Sequence, residues 1–314
     1  LPFEEEREIA TGIRVRLQGA GHILGAASVR LSANATSVLF LGDLGRPDDP
    51  IMNAPAPIGK ADYVVVESTY GDRLHEAQDV EAVLGDTIRR TAARGGTVLI
   101  PAFAVGRAQS LLYAIYRLKQ RRAIPDLPVF LNSPMAIDMT DIYHRHRAEH
   151  RLSDAECAGM CKVATMVRSV EESRALNAMT YPAVIVSASG MATGGRVLHH
   201  LKTLAPDRRN TVVFAGYQAA GTRGARMVAG ESSIRIHGQD IPVRAEVMSL
   251  EGISAHADAR QIVQWLATAQ RPPRRVYLTH GEPGPADTLR QRIERELGWD
   301  AYAPRLGQTI EVES

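Results

Sequence analysis

An α/β fold divided between two domains is what this sequence predicts. Three observations carry the prediction: short alternating strands near the start, a strand–loop–helix rhythm through the middle, and a final return to strand–helix–strand. In the first stretch Ile13, Val15 and Leu17 share one face, as do Val29 and Leu31 after a loop at Gly19–Gly25. Asn34–Thr36 then turns into the apolar run Val38–Leu41. Period-two alternation between tight connections reads as antiparallel β. A further strand, Tyr63–Val66, ends at Glu67.

From Gly71 to Gly252 the rhythm changes. Val98–Ile100 leads through a Gly106 loop into Leu111, Leu112, Ile115 and Leu118 at helical spacing. Val129–Leu131 runs into Ser133-Pro134, a helix start. Ala183–Val186 leads into the Gly-rich Ser187–Gly195, and Val212–Phe214 into Gly216–Gly224. Repeated βα units imply a mostly parallel sheet, whose ligand-binding loops gather at the carboxyl ends of the strands. In the last stretch Ile262, Val263 and Leu266 mark an amphipathic helix after Asp258, which Pro272-Pro273 stops. Val276–Leu278 is then a buried strand ending at His280.

A length of 314 residues fits about two domains or one large one. The composition, 45% hydrophobic and 23% charged, is that of an ordinary globular chain with ample material for a core. No apolar run approaches the ~18 residues of a membrane-spanning helix, so no membrane partner is expected. The net charge of +2 argues neither for nor against nucleic acid. Cys157 and Cys161 cannot supply a disulfide framework and lack the C-x2-C zinc spacing, so they read as reduced thiols on one helical face, as suits a cytoplasmic chain. The chain opens at Leu1 without Met, so a signal peptide further upstream would not be visible.

His144, His146 and His150 fall in a charged helical run and read as surface residues; His75, His199, His200 and His237 are ambiguous. Three histidines have a different setting. His22 sits in a loop between strands, His280 ends an apolar strand, and His256 lies between a strand-like segment and a helix. Asp43 and Glu67 follow apolar strands in the same way. An ionisable group at the end of a buried strand is costly unless it is paired or ligates a metal. Imidazole and carboxylate are the donors that Zn2+ or Mn2+ accept in a hydrolytic site. Each residue taken singly also reads as a satisfied polar strand end.

The Gly-rich loops add a second element. Ser187-Ala-Ser-Gly-Met-Ala-Thr-Gly-Gly-Arg196 joins a strand to a helix, and its backbone N–H groups suit an anion cradle. Gly106-Arg107 and Gly221-Thr-Arg-Gly224 offer smaller versions. Gly-rich βα loops also serve packing alone. No Walker A sequence is present, which argues against hydrolysis of nucleoside triphosphates.

Taken in order, Ala-Gly-His22-Ile-Leu-Gly, Gly-Asp43, Glu67-Ser-Thr-Tyr-Gly71, Pro101-Ala-Phe-Ala-Val-Gly-Arg107, Ser187-Ala-Ser-Gly-Met191 with Gly194-Gly-Arg196, Gly216-Tyr-Gln218, Ser254-Ala-His256-Ala-Asp258 and His280-Gly-Glu282 resemble the β-CASP branch of the metallo-β-lactamase superfamily. That branch includes ribonucleases like the endonuclease subunit of the mRNA 3′-end cleavage and polyadenylation machinery. The resemblance implies a metallo-β-lactamase αββα sandwich with an inserted Rossmann-like β-CASP domain. On this sequence the core would take residues 1–70, the insertion 71–260 and the return to the core 261–314.

It also implies two Zn2+ (or Mn2+) ions, with His22, Asp43 and His280 as ligands and Asp43 bridging. The implied reaction is two-metal hydrolysis of RNA phosphodiester bonds, as endonuclease or 5′-to-3′ exonuclease, leaving a 5′-phosphate. Asp43, Glu67 and His256 form the catalytic set: His256 protonates or clamps the phosphate oxygens, and Glu67 orients it. Arg107, Ser187, Ser189, Gly190, Gly194, Gly195 and Arg196 would hold RNA phosphates. His280 favours RNA over DNA, because DNA-acting members usually carry Val at that place. A homodimer is a further expectation from the family.

The family's His-x-His-x-Asp-His, which supplies four ligands, is absent from this sequence. The expectation is therefore a fragment whose N-terminal segment lies upstream, holding three of about seven ligands and binding metal weakly or not at all. The alternative from another class is a catalytically silent β-CASP subunit that binds RNA or acts as a scaffold.

Overall fold

The structure is a computed structural model and describes residues 1–75 and 78–313. The chain forms two compact units, one of Leu1–His75, Glu149–Arg151 and Ala255–Ser314, the other of Glu76–Ala148 and Leu152–Ser254. The His75 backbone N–H, at the end of the first segment of that unit, donates to the Asp258 carboxylate at 2.9 Å.

The first unit is built on a seven-stranded sheet. Glu6–Ala10, Ile13–Gly19, Ala27–Ala33 and Thr36–Phe40 pair antiparallel, each with the next. The direction then changes: Thr36–Phe40 pairs parallel with Tyr63–Glu67, which pairs parallel with Arg275–Thr279. Ala301–Tyr302 adds a last parallel strand. The helices Ala259–Leu266 and Pro283–Leu297 pack their apolar stripes on this sheet, Ile262 and Leu289 meeting Leu39, Val64 and Val276 in one fully buried core. Sheet and helices thus make two layers of the four that an αββα sandwich has.

Three parallel strands bring Phe40, Glu67 and Thr279 to the same edge. Register does the rest. Thr279 lies opposite Glu67, so His280 emerges one residue beyond the end of its neighbour's strand.

In the second unit six strands pair in parallel throughout, in the order Glu246–Leu250, Thr211–Ala215, Val98–Pro101, Val184–Ser187, Val129–Asn132, Thr165–Met166. Burial on both faces explains the apolar character of the four inner strands. The helix starts are chemically marked: Ser133 accepts a bond from Ala136 N–H with Pro134 in the first turn, and Ser153 and Ser169 form reciprocal capping boxes with Glu156 and Glu172. A hairpin, Ser233–Ile236 with Gln239–Pro242, has no counterpart in the sequence expectations. His237, left-handed at φ 49°, and Gly238 make its turn.

Candidate active site

All five residues singled out at strand ends lie in the first unit, and the structure brings them together. Asp43 stands at the centre. Its Oδ1 is 3.1 Å from His280 Nδ1 and its Oδ2 is 3.7 Å from His22 Nε2. The His22 ring lies 4.4 Å from that of His256, whose Nδ1 is 3.0 Å from both carboxylate oxygens of Glu67. The His256 and His280 rings are 6.1 Å apart.

Close backbone approach is what permits this convergence. The segments carrying His22, Asp43 and His256 are clipped together: Gly45 N–H donates to Ala20 O at 2.8 Å, and Ala257 N–H to Leu44 O at 2.8 Å. A Cβ on Gly45 would fall 2.0 Å from the Gly21 carbonyl and 2.5 Å from His22 N, so only glycine fits where these strands of chain cross. His280 takes a left-handed backbone, φ 49°, and Thr69 Oγ1 donates to its carbonyl at 3.1 Å while lying 3.3 Å from its Nδ1. A non-glycine residue held in that region costs energy that the surrounding contacts must supply.

Glu67 is fully buried. Burial pushes its carboxyl up, but the bond from His256, the hydroxyl of Thr69 and the Leu44 N–H at 2.7 Å outweigh that, and the group is held below the usual glutamate value. An ionised carboxylate facing Nδ1 places the His256 proton there and leaves Nε2 without one. For His22, burial is the largest influence and the neighbouring His256 adds to it. Together they lower its pKa despite Asp43 and Glu67, so the ring is neutral near pH 7, the form that ligates.

The donor set fits a divalent transition ion. A 3.7 Å separation is too long for a hydrogen bond. It is near the ~3.4 Å between two donors sharing one tetrahedral zinc at ~2.1 Å bonds. Asp43 faces one imidazole with each oxygen. Two overlapping sets of donor atoms each lie within 4.8 Å of one another, His22 with Asp43 and His256, and Asp43 with Glu67 and His280.

Two residues that sequence reasoning left aside support the site. His75, judged ambiguous, lies with Nε2 2.8 Å from the carbonyl of His256. The Tyr70 ring sits 5.1 Å from that of His75 and 6.1 Å from that of His256. Neither carries a signal in the sequence beyond adjacency to Glu67. His150 is a correction: expected at the surface, it is buried at 5% exposure, where it bridges to Met52 in a short antiparallel contact.

The expected phosphate-binding set lies in the second unit, where its side chains also bond within the unit. Ser187 is buried and donates to Asn132 O at 3.0 Å. Ser189 Oγ accepts from the N–H groups of Thr193 and Gly194, both at 3.2 Å, so the loop's own hydroxyl fills the seat expected for an anion. Arg196 donates to Asn132 Oδ1 at 2.8 Å, Val167 O at 3.0 Å and Arg168 O at 2.6 Å. Arg107 donates to the carbonyl of Ala215. Gly190 is covered by Phe103, and Gly195 turns with φ 77° against the Ala188 carbonyl. These bonds hold the loop in place.

Comparison with known proteins agrees with this architecture. Residues 108–227 match the Beta-Casp domain, and residues 240–304 match the Zn-dependent metallo-hydrolase RNA specificity domain. A ribonuclease of Thermus thermophilus is 38% identical over 84% of this chain and 61% of its own length. The transcription termination factor FttA of Pyrococcus abyssi is 33% identical over 99% of the chain and 51% of its own length. An RNase J-like protein of Methanocaldococcus jannaschii is 30% identical over 99% of the chain and 74% of its own length. A crystal structure of a protein of unknown function from Enterococcus faecalis shares the fold over 98% of the chain and 66% of its own, with a TM-score of 0.51 at 10% identity. The chain belongs to the β-CASP family of the metallo-β-lactamase superfamily, and relatives of it bear ribonuclease names. It spans about half to three-quarters of the length of these curated relatives.

Proposed function

We propose that this protein is a metal-dependent ribonuclease, with the Asp43-centred constellation as its reaction site. The observation that carries the reading is the buried Glu67–His256 pair standing beside a carboxylate flanked by two imidazoles. When bound by His22, Asp43 and His280, together with ligands from the rest of the protein, two Zn2+ or Mn2+ ions would supply Lewis acidity and a nucleophile at neutral pH. Everything else falls to the chain's own side chains. Glu67 fixes the His256 proton at Nδ1 and stabilises the imidazolium whenever Nε2 gains a second one. His256 Nε2 donates to the phosphate oxygens or the departing oxygen, a contribution typically worth ~10²–10⁴-fold. Thr69 and the left-handed His280 backbone hold the second imidazole on Asp43.

RNA is favoured as substrate because the relatives bear ribonuclease names and His280 occupies the position where DNA-acting members usually carry Val. A silent RNA-binding subunit is disfavoured because His22, Asp43, Glu67, His256 and His280 are all present and converge. The deciding experiment is His256→Ala in the full-length protein, with metal content and cleavage of labelled RNA measured together. Cleavage is expected to fall ~10²–10⁴-fold with metal retained. Unchanged turnover would remove His256 from the mechanism.

A further inference from the structure

A second donor cluster lies in the other unit, and neither the fold nor the reaction accounts for it. His144 sits in the last turn of the helix Pro134–Arg145, and Cys157 and Cys161 lie one turn apart on the helix Asp154–Lys162. The i,i+4 spacing puts both sulfurs on one face. That face meets the end of the preceding helix, so one ring nitrogen of His144 and the two Sγ atoms all lie within 4.8 Å of one another.

We propose that His144, Cys157 and Cys161 form a binding site for a thiophilic d10 metal ion of the Zn2+ class. Two thiolates and an imidazole are the donors such ions prefer, and a fourth position stays open on the exposed His144 side. The thiols hydrogen-bond to each other and, over long distances, to Tyr143 O at 3.9 Å and Thr140 O at 3.7 Å. Charge favours metal binding. Arg147 pairs with Asp154 at 2.7 Å and donates to the His144 ring at 3.1 Å, so a cation already borders the cluster. Two thiolates with a divalent ion leave the whole group neutral. Burial raises both thiols, Cys161 to about 12, so each holds its proton until a metal displaces it to solvent.

These are the only two cysteines of the chain, which gives the test a clean signal. The whole reduced protein is titrated with Cd2+ and followed by sulfur-to-metal charge-transfer absorption, which the imidazole and carboxylate donors around Asp43 do not produce. A band saturating near one ion per chain and displaced by Zn2+ is expected. Cys161→Ser should abolish it, and Asp43→Asn should leave it intact. His144→Ala, at an exposed position that folding does not depend on, should weaken binding by at least the ~10–100-fold that even outer-sphere partners are worth. No band in the folded wild-type protein, or a band indifferent to His144→Ala, would overturn the site.

Discussion

Around Asp43, side chains from five separate stretches of chain turn toward one another and leave one carboxylate between two imidazoles. Around Ser189, side chains of equal polarity turn back on their own backbone. Both regions sit at the carboxyl ends of parallel strands, where ligands are expected in α/β sheets. The difference lies in where each hydrogen bond ends. In the first region the bonds and close contacts run between ionisable side chains from separate stretches of chain. In the second, nearly every donor finds a carbonyl or hydroxyl of the same unit. Position on the sheet edge therefore nominates a site, and the hydrogen-bond ledger decides whether it is one.

The sharpest way to break this comparison is Glu67→Gln. The amide keeps an acceptor for the Leu44 N–H but removes the negative charge that stabilises a doubly protonated His256, the form that donates from Nε2. With that form disfavoured, RNA cleavage should fall ~10²–10⁴-fold while metal content stays constant. If the Gln variant cleaves at the normal rate, charge stabilisation by Glu67 is not part of the mechanism.

The second region is tested by Arg196→Ala. Three acceptors lose their donor at once: the Asn132 side chain and the carbonyls of Val167 and Arg168. Bonds from a charged donor are worth ~1.5–3 kcal/mol each and do not add, so a loss of about 2–4 kcal/mol in unfolding free energy is expected. RNA affinity should keep the same dependence on salt. A strut and a phosphate contact differ there, because removing a phosphate contact would lower the salt slope by about one. A stable variant with a shallower slope would return Arg196 to the RNA.

Much of the first region was legible before any coordinates. His22, Asp43, Glu67, His256 and His280 share a signature, an ionisable residue after an apolar strand or in a tight loop. Physics penalises that placement unless the residue has a partner. Register then followed from parallel pairing. The Ser187–Arg196 loop was legible only as a turn, because glycines and hydroxyls in a βα turn are needed equally for holding an anion and for closing the loop upon itself. Only the bond from Ser189 to Thr193 and Gly194 separates the two. His150 misled for a related reason. Its charged neighbours suggested exposure, whereas its backbone pairs with Met52, a residue 98 positions away in sequence that no local pattern encodes. His144 and the two cysteines were legible as a helical face, but the partner helix that completes the cluster was not.

The mildest test uses pH and concerns His200, a buried histidine of the second unit. Its Nδ1 donates to Asn177 Oδ1 at 2.6 Å, and its Nε2 accepts from Asn132 Nδ2 at 2.6 Å, the same side chain that Arg196 holds. This relay admits only the neutral ring, since a proton on Nε2 would face the amide's own N–H. Burial above all, with His199 and Arg196 adding to it, lowers the His200 pKa to about 4. The unfolded chain, with an ordinary value near 6.5, therefore binds a proton first as pH falls. The stabilisation is complete above about pH 6.5, declines as pH drops toward about 4, and changes no further below that. The loss should reach about 1 kcal/mol by about pH 5.5 and roughly 3 kcal/mol at its limit. Denaturant midpoints of wild type and His200→Gln across this window should converge as pH falls, since only the wild type carries the penalty. Curves that stay parallel would mean that the ring is protonated inside the fold and that the Asn132–His200–Asn177 relay is misassigned.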